Sequence, residues 1–324
     1  MHAMPGKSLS IVSWCFNEAD NLEEFVARLW AAVAGLSAYE IELILIDNAS
    51  TDGTDVILRR LAAADRRVKV IFNARNFGHI RSPHHALLQA RGDAVIGMAS
   101  DLQDPPEMIP EFVRKWEEGS KAVVAVKEQS EESAIFFFIR RSYYRLVTRL
   151  AEFDLIENTT GFGLYDQAII DYCRQLRDPY PYFRGLISEI GFPIATVPFL
   201  QPTRKRGLTK NNFYTLYDMA MLGITNHSKV PLRIATMMGF GMSFVSLLLG
   251  LAYLVYKLLF WERFTVGVAP VVIGLFLFAS VQLFFIGILG EYIGAIHTQV
   301  LKRPLVVERE RLNFGSSPAE QERG

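Results

Sequence analysis

Cysteine is nearly absent. Only Cys15 and Cys173 occur in the 324 residues. Two distant cysteines exclude a disulfide-stapled scaffold and the paired spacing of a zinc site, and they fit reduced core thiols in a cytosol-facing domain. Net charge is absent as well, with 34 basic residues against 34 acidic ones. A nucleic-acid binder would carry a basic footprint, so no nucleic-acid partner is expected. The start of the chain lacks a basic stretch leading into a short apolar run, so no signal peptide is expected. No Gly-x-Gly-x-x-Gly follows the first strand-like run, which argues against a dinucleotide oxidoreductase, and no Gly-x-x-x-x-Gly-Lys-Ser/Thr occurs, which removes the P-loop NTPases.

What is present is an α/β pattern. Leu9 to Trp14, Ile41 to Ile46, Val68 to Phe72, Gly92 to Ile96 and Ala122 to Val126 are short apolar, β-leaning runs. Leu22, Phe25, Val26, Leu29, Trp30 and Val33 recur at helical spacing between the first two, after Asp20 and Glu23 at capping-box spacing. Strands alternating with helices imply a mostly parallel sheet with right-handed crossovers. His84 and His85 are adjacent, so they point to different faces of their helix, and no third ligand accompanies them; a metal site is not expected there.

Polar residues cluster after these runs, at the sheet edge where open α/β folds bind ligands. Asp101, Gln103, Asp104 and Glu107 follow strand four, with Pro105 and Pro106 suited to a first helical turn. Asp101 and Gln103 offer hard oxygens for Mg²⁺ or Mn²⁺ holding a diphosphate; the alternative is a turn capped by Asp101 and Asp104. Asn17 and Glu18 follow strand one, where turn and helix-start chemistry is the competing explanation. Asp47 to Thr54 follow strand two, with Ser50 and Asp52 read as turn and N-cap residues.

Asp101-Leu-Gln-Asp-Pro-Pro-Glu107 resembles the metal-site motif of family 2 glycosyltransferases acting on polyprenyl phosphates. That motif usually reads Asp-Ala-Asp-Leu-Gln; Ala99 and Ser100 stand at its first two places, while Asp101 and Gln103 are kept. Phe16-Asn17-Glu18, Asp47 to Thr54, Arg75-Asn76-Phe77-Gly78 and Arg184-Gly185 are similar to further family elements, with Trp14 in place of a proline and Asn48 and Ala49 as substitutions. The resemblance implies a GT-A nucleotide-sugar domain. It implies a metal on Asp101 and Gln103, and a nucleotide held by Trp14, Phe16, Asn17, Glu18, Asp47, Asn76, Gly78, Ser100 and Asp101. Lys127, Arg141 and Arg145 match by spacing the basic residues that hold the acceptor phosphate. Arg206 to Lys210 resembles Arg-x-x-Gly-x-Ser-Lys with shorter spacing, which adds Arg206 and Lys210. Asp101, Lys127, Arg141, Arg145 and Arg206 are the residues expected to carry catalysis. Many relatives place an Asp where this chain has Gly161, and Glu157 and Asp166 are the nearest acids, so no carboxylate base carries over. None of Trp14, Trp30, Trp116 or Trp261 stands in Gln-x-x-Arg-Trp, which sets aside a processive polysaccharide synthase.

The remaining chain faces lipid in this reading. Residues 135–153 combine Ile135 to Ile139 with Arg140, Arg141, Arg145 and Arg149 among aromatics. That is either an interfacial helix or an ordinary packed helix with a basic face. A second interfacial helix is expected over residues 211–226. Ile234 to Tyr256 and Phe264 to Gly290 carry no charge, and each exceeds the roughly 20 residues that cross hydrocarbon. Lys and Arg flank both on their outer sides, so the termini and the catalytic domain are expected in the cytosol. The resulting division is a domain over 1–228, a transmembrane hairpin over 229–297 and a cytosolic tail over 298–324, disordered beyond Phe314. The expected activity is inverting transfer of a sugar, UDP-glucose favoured as donor, to a polyprenyl phosphate by a membrane-embedded homo-oligomer. GDP-mannose and UDP-N-acetylhexosamines stay open as donors, and a degenerate membrane scaffold is the alternative.

Overall fold

A computed structural model describes residues 6–128, 156, 159–202, 221, 225, 228–260 and 268–315. Its centre is an eight-stranded sheet of order β7-β5-β6-β4-β1-β2-β3-β8. The strands are β1 (Ser8–Cys15), β2 (Glu40–Asp47), β3 (Val68–Asn73), β4 (Ala94–Ala99), β5 (Ala122–Lys127), β6 (Thr159–Asp166), β7 (Ile194–Phe199) and β8 (Glu308–Leu312). β6 and β8 run antiparallel to their neighbours and the other pairings are parallel. The expected mostly parallel sheet is therefore present, with β6, β7 and β8 added to the runs visible in the sequence.

Each strand feeds both faces, because successive side chains alternate. Ile11, Leu43, Leu45, Val70, Phe72, Ile96 and Val123 pack beneath α1 (Ala19–Val33), α2 (Thr54–Ala64) and α4 (Ile109–Glu117). Val12, Ile44, Ile46, Ile71, Val95 and Val124 pack beneath α3 (Gly78–Gln89), α5 (Gln167–Leu176) and α6 (Phe183–Glu189). Burial on both faces explains why β2 reads as almost continuously apolar. The expected capping box does not form: Glu18 is the N-cap of α1 and makes no side-chain cap bond, while Asp20 lies within the first turn. Asp52 likewise is not the N-cap of α2; Gly53 is, in a left-handed conformation, while Asp52 accepts from the Thr54 amide at 3.0 Å.

His84 on α3 is 3 % exposed, lies edge-on to Phe183, and its Nδ1 has no hydrogen-bond partner. Burial, helped by His85, pushes its pKa down to about 4. The unfolded chain takes up this proton near pH 6.5, whereas the folded one does not until about pH 4. Stability is thus lost as pH falls through that window, by about 2 kcal/mol at pH 5. Unfolding measured at pH 7.5 and 5 should show His84→Leu losing less stability than the unsubstituted chain by that amount. Parallel losses would mean that His84 titrates normally.

α7 (Val230–Leu259) and α8 (Val268–Leu301) are long and apolar enough to cross a membrane. Their side chains are largely exposed, Met237, Phe240, Phe276 and Leu283 among them, which suits lipid and not a protein core. α8 continues past the charge-free run. There Tyr292 donates to the Ser228 carbonyl at 2.6 Å and Gln299 to Asp178 at 2.8 Å. A cavity of about 470 Å³ lies at this junction, lined by Tyr182, Leu186, Tyr292 and Ile296.

The chain after α8 differs from the expected tail. β8 returns to the sheet and covers the edge of β3. Glu310 forms a two-pronged pair with Arg59 of α2, and Glu308 meets His85 of α3 at 2.5 Å. Asn313 donates to the carbonyls of Ala62 and Val68 at 2.7 and 2.8 Å. The chain that follows α8 is thereby fastened to the sheet.

Candidate active site

Strand order reverses between β1 and β4: β2 and β3 follow on one side of β1, and β4 lies on the other. The crevice at such a switch point, beyond the strands' carboxyl ends, is where ligands enter open α/β sheets. Cys15 to Glu18 and Ala99 to Gln103 flank it. Ser100 ties the two sides, since its buried hydroxyl donates to the Trp14 carbonyl at 2.9 Å. Cys15 lies beneath with its thiol pushed up to about 12 by burial, which keeps it a protonated core group.

The loop after β1 is laced to the loop after β2. Asn17, exposed and at φ 58°, donates its amide to the Ser50 hydroxyl and accepts from the Thr51 amide, both at 2.9 Å. Glu18 is buried; its amide donates to the Thr54 hydroxyl at 3.0 Å and its carboxylate accepts from Asn21 at 2.6 Å. Asp47 ends β2 at 1 % exposure, accepting from the Ser50 amide at 3.1 Å. Burial raises its pKa, opposed chiefly by the Ser50 hydrogen bonds. Trp14 and Phe16 are half-buried at the same edge.

Asn48 is the hub of the next loop. Its amide donates to Asn76 Oδ1 at 2.9 Å and the Gly78 carbonyl at 3.2 Å. Its Oδ1 accepts from Asn73 at 3.1 Å and from the Phe77 amide at 2.9 Å. An aspartate could accept the second pair but not donate the first. The asparagine is therefore a working part of the loop that presents Asn76 and Gly78, the latter at φ +85°.

The turn after β4 is held by Asp104 and Asp101, the two residues named as its caps in the alternative reading of the sequence. Asp104 is 4 % exposed and accepts from the Ala99 amide at 2.9 Å. Burial pushes its pKa up to about 7, offset by the Ala99 hydrogen bond and by the charges of Lys127 and Arg184. Asp101, half-buried, accepts from the Gln103 amide at 3.1 Å across Leu102 at φ 63°. Gln103 donates to the Pro202 carbonyl at 3.4 Å. Among the described residues no group of three or more His, Cys, Asp or Glu side chains could hold a metal ion. Mg²⁺ and Mn²⁺ accept one or two carboxylate or amide oxygens and complete their shell from water and substrate phosphates, which Asp101 and Gln103 fit.

Lys127 is the last residue of β5, across β6 from this turn. The structure thus gathers Trp14, Phe16, Asn17, Glu18, Asp47, Asn76, Gly78, Ser100, Asp101, Gln103 and Lys127 along one edge. Arg141, Arg145, Arg206 and Lys210 lie outside the described residues, as do nearly all of both expected interfacial helices.

Residues 10–173 match the glycosyl transferase family 2, and residues 230–296 match the GtrB C-terminal hairpin. An uncharacterised glycosyltransferase of Synechocystis is 33% identical over 97% of this chain and 98% of its own length. A prophage-derived bactoprenol glucosyl transferase of Shigella flexneri is 31% identical over 91% of this chain and 96% of its own. Among solved structures, glucosyl-3-phosphoglycerate synthase from Mycobacterium tuberculosis is similar over 68% of this chain and 77% of its own, at 18% identity and a TM-score of 0.46.

Proposed function

The chain belongs to glycosyl transferase family 2, and from that premise we propose that it transfers a hexose, glucose by preference, from a UDP-sugar to a polyprenyl phosphate at the cytosolic face of a membrane. One observation carries this reading. Likeness to the Shigella bactoprenol glucosyl transferase extends over 91% of the chain, so it takes in the apolar hairpin as well as the nucleotide-sugar domain.

The chemistry suits the residues. A phosphate monoester is largely dianionic near neutral pH, its second pKa being about 6. Its oxygen can attack the anomeric carbon without a strong general base, which accords with glycine at position 161. Attack opposite the leaving diphosphate inverts the anomeric centre. The chain's task is then to hold the acceptor in line and to favour departure of the diphosphate. Asp47 and Asn17 present hydrogen-bonding groups for the nucleoside beside the β1–β2 loops. Asp101 and Gln103 would hold Mg²⁺ or Mn²⁺, which when bound would supply positive charge to neutralise the leaving diphosphate. Lys127, with Arg141, Arg145, Arg206 and Lys210, meets the acceptor phosphate.

Charge-assisted hydrogen bonds to phosphate are worth roughly 1.5–3 kcal/mol. Arg141→Ala or Arg206→Ala should therefore cost on the order of tenfold to a hundredfold in acceptor use while nucleotide affinity stays within about twofold. Loss of nucleotide affinity with normal acceptor kinetics would move that residue to the donor site. The wider proposal is tested with membrane vesicles and labelled UDP-glucose. Inside-out vesicles should form labelled polyprenyl-phosphate sugar, and sealed right-side-out vesicles should not. Product from right-side-out vesicles alone would reverse the orientation, and no lipid-linked product from either would remove the acceptor.

A further inference from the structure

We propose that Arg184 is a phosphate-binding cation of this site and that glycine at position 161 keeps its charge available. The proposal rests on the transferase reading above. β6 pairs Gly163 with Gly97 of β4, so Gly161, two residues earlier on an antiparallel strand, flanks the turn that begins at Ala99. Position 126 of β5 pairs with Thr159, which puts Lys127 beside the same end of β6. Arg184, in the first turn of α6, reaches this spot and donates to the Thr160 carbonyl at 2.9 Å. Its Nε lies 3.9 Å from the point where a Cβ on residue 161 would stand. Its charge acts on Asp104 in the turn after β4 and on Tyr165.

A guanidinium has five N–H donors. Among the described residues Arg184 spends one of them, on a neutral carbonyl, and has no carboxylate within ion-pair distance. Arg28, Arg59 and Arg67 are by contrast matched by Glu107, Glu310 and Asp65, while Arg75 and Arg81 also donate to backbone carbonyls but not beside the turn after β4. A half-buried, unmatched guanidinium at a ligand edge suits a planar oxyanion, and phosphate oxygens fit its fork. Residue 161 decides whether the charge stays unmatched. Its φ is +88°, a conformation natural to glycine, and the nearest outside atom is the arginine itself. An aspartate there would set its carboxylate against Arg184 and neutralise it. Glycine at this place is then the condition for a cation, and not merely a missing base.

The phosphate is either the acceptor's monoester or the donor's diphosphate, and two arms separate them. Arg184→Gln should cost on the order of tenfold to a hundredfold. A rise in KM for polyprenyl phosphate with unchanged UDP affinity by calorimetry assigns the monoester. A matching loss of UDP affinity assigns the diphosphate. Arg184→Lys should recover part of the loss in either case. Normal KM and normal UDP affinity, with only a lowered unfolding midpoint, would overturn the proposal and leave a strut to Thr160. The second arm compares Gly161→Asp with Gly161→Asn, which share shape and tolerance of positive φ but differ in charge. The aspartate variant should fall at least about tenfold below the asparagine variant in kcat/KM, and adding Arg184→Gln should abolish that difference. Equal or higher activity in Gly161→Asp would overturn the proposal in favour of a lost base. If the unsubstituted protein makes no lipid product, the acceptor reading fails on its own, and UDP calorimetry on Arg184→Gln still decides whether Arg184 meets phosphate.

Discussion

Asp101→Ala is expected to abolish metal-dependent sugar transfer, by at least about a thousandfold, while the protein still folds. Charge stabilisation on a leaving diphosphate is worth several kcal/mol, and each 1.4 kcal/mol is tenfold in rate. Among the described residues few donors can take over: Ala99 supplies no carboxylate, and Asp104 is spent on the Ala99 amide. The fold should survive because the Asp101 carboxylate accepts locally, from the Gln103 amide two residues on. The discriminating readout is UDP affinity with and without Mn²⁺. The unsubstituted protein should bind UDP more tightly with Mn²⁺, and Asp101→Ala should bind equally under both conditions. Near-normal transfer by Asp101→Ala would remove the metal from this turn.

Gly163→Ala should have the largest effect on stability. Gly163 sits in β6 where that strand pairs with β4 and β5 at once. A Cβ there would stand 2.4 Å from the Val123 carbonyl oxygen and 3.1 Å from Val124 Cα, both backbone atoms that cannot rotate away. Relief requires β5 and β6 to separate, at a cost of about 3 kcal/mol or more. We expect a sharply lowered unfolding midpoint and a chain recovered mainly as aggregate. Gly119→Ala, whose added Cβ would meet nothing within 4 Å, is the comparison for an effect confined to backbone conformation at φ +107°. Equal midpoints for the two variants would mean that the β5–β6 contact is looser than described.

The strands that were legible in the sequence are those buried on both faces. β1 to β5 are largely apolar runs; the ends of β1, β2, β3 and β5 lie within one residue of the expected ones, while β4 runs three residues past Ile96 to Ala99. β6 was not legible as a strand because Thr159-Thr160-Gly161-Phe162-Gly163 mixes hydroxyls and glycines. The sheet tolerates them there since Gly163 is squeezed between strands and Tyr165 reaches back to the Gly161 carbonyl at 2.8 Å. β8 hides even better. Glu308-Arg309-Glu310-Arg311-Leu312 has no apolar face, and its pairing rests on Arg59, His85 and the open edge of β3, far away in sequence. The motif positions came from the family resemblance, and those that lie in the described residues fall along one sheet edge. What their side chains do was less legible, because hydrogen bonds such as Asn48 to Asn76 or Asn17 to Ser50 depend on how loops meet. Asn48 reads as a departure from a family pattern and is a four-bond hub in the fold. Arg184 was legible as a motif residue, but its approach to Gly161 joins β6 and α6 and has no local signature.

The central claim is that an acceptor already carrying its own negative charge does the attacking. The most direct measurement supplies the purified protein with UDP-glucose, Mn²⁺ and either a polyprenyl phosphate or the corresponding polyprenol, and follows glucosyl lipid by mass. A chain with Gly161 in place of a carboxylate base should glucosylate the phosphate and leave the alcohol untouched, giving the mass of a sugar joined through one phosphate. Comparable transfer to the polyprenol would contradict the account, since a neutral hydroxyl needs a base that this site is argued not to have.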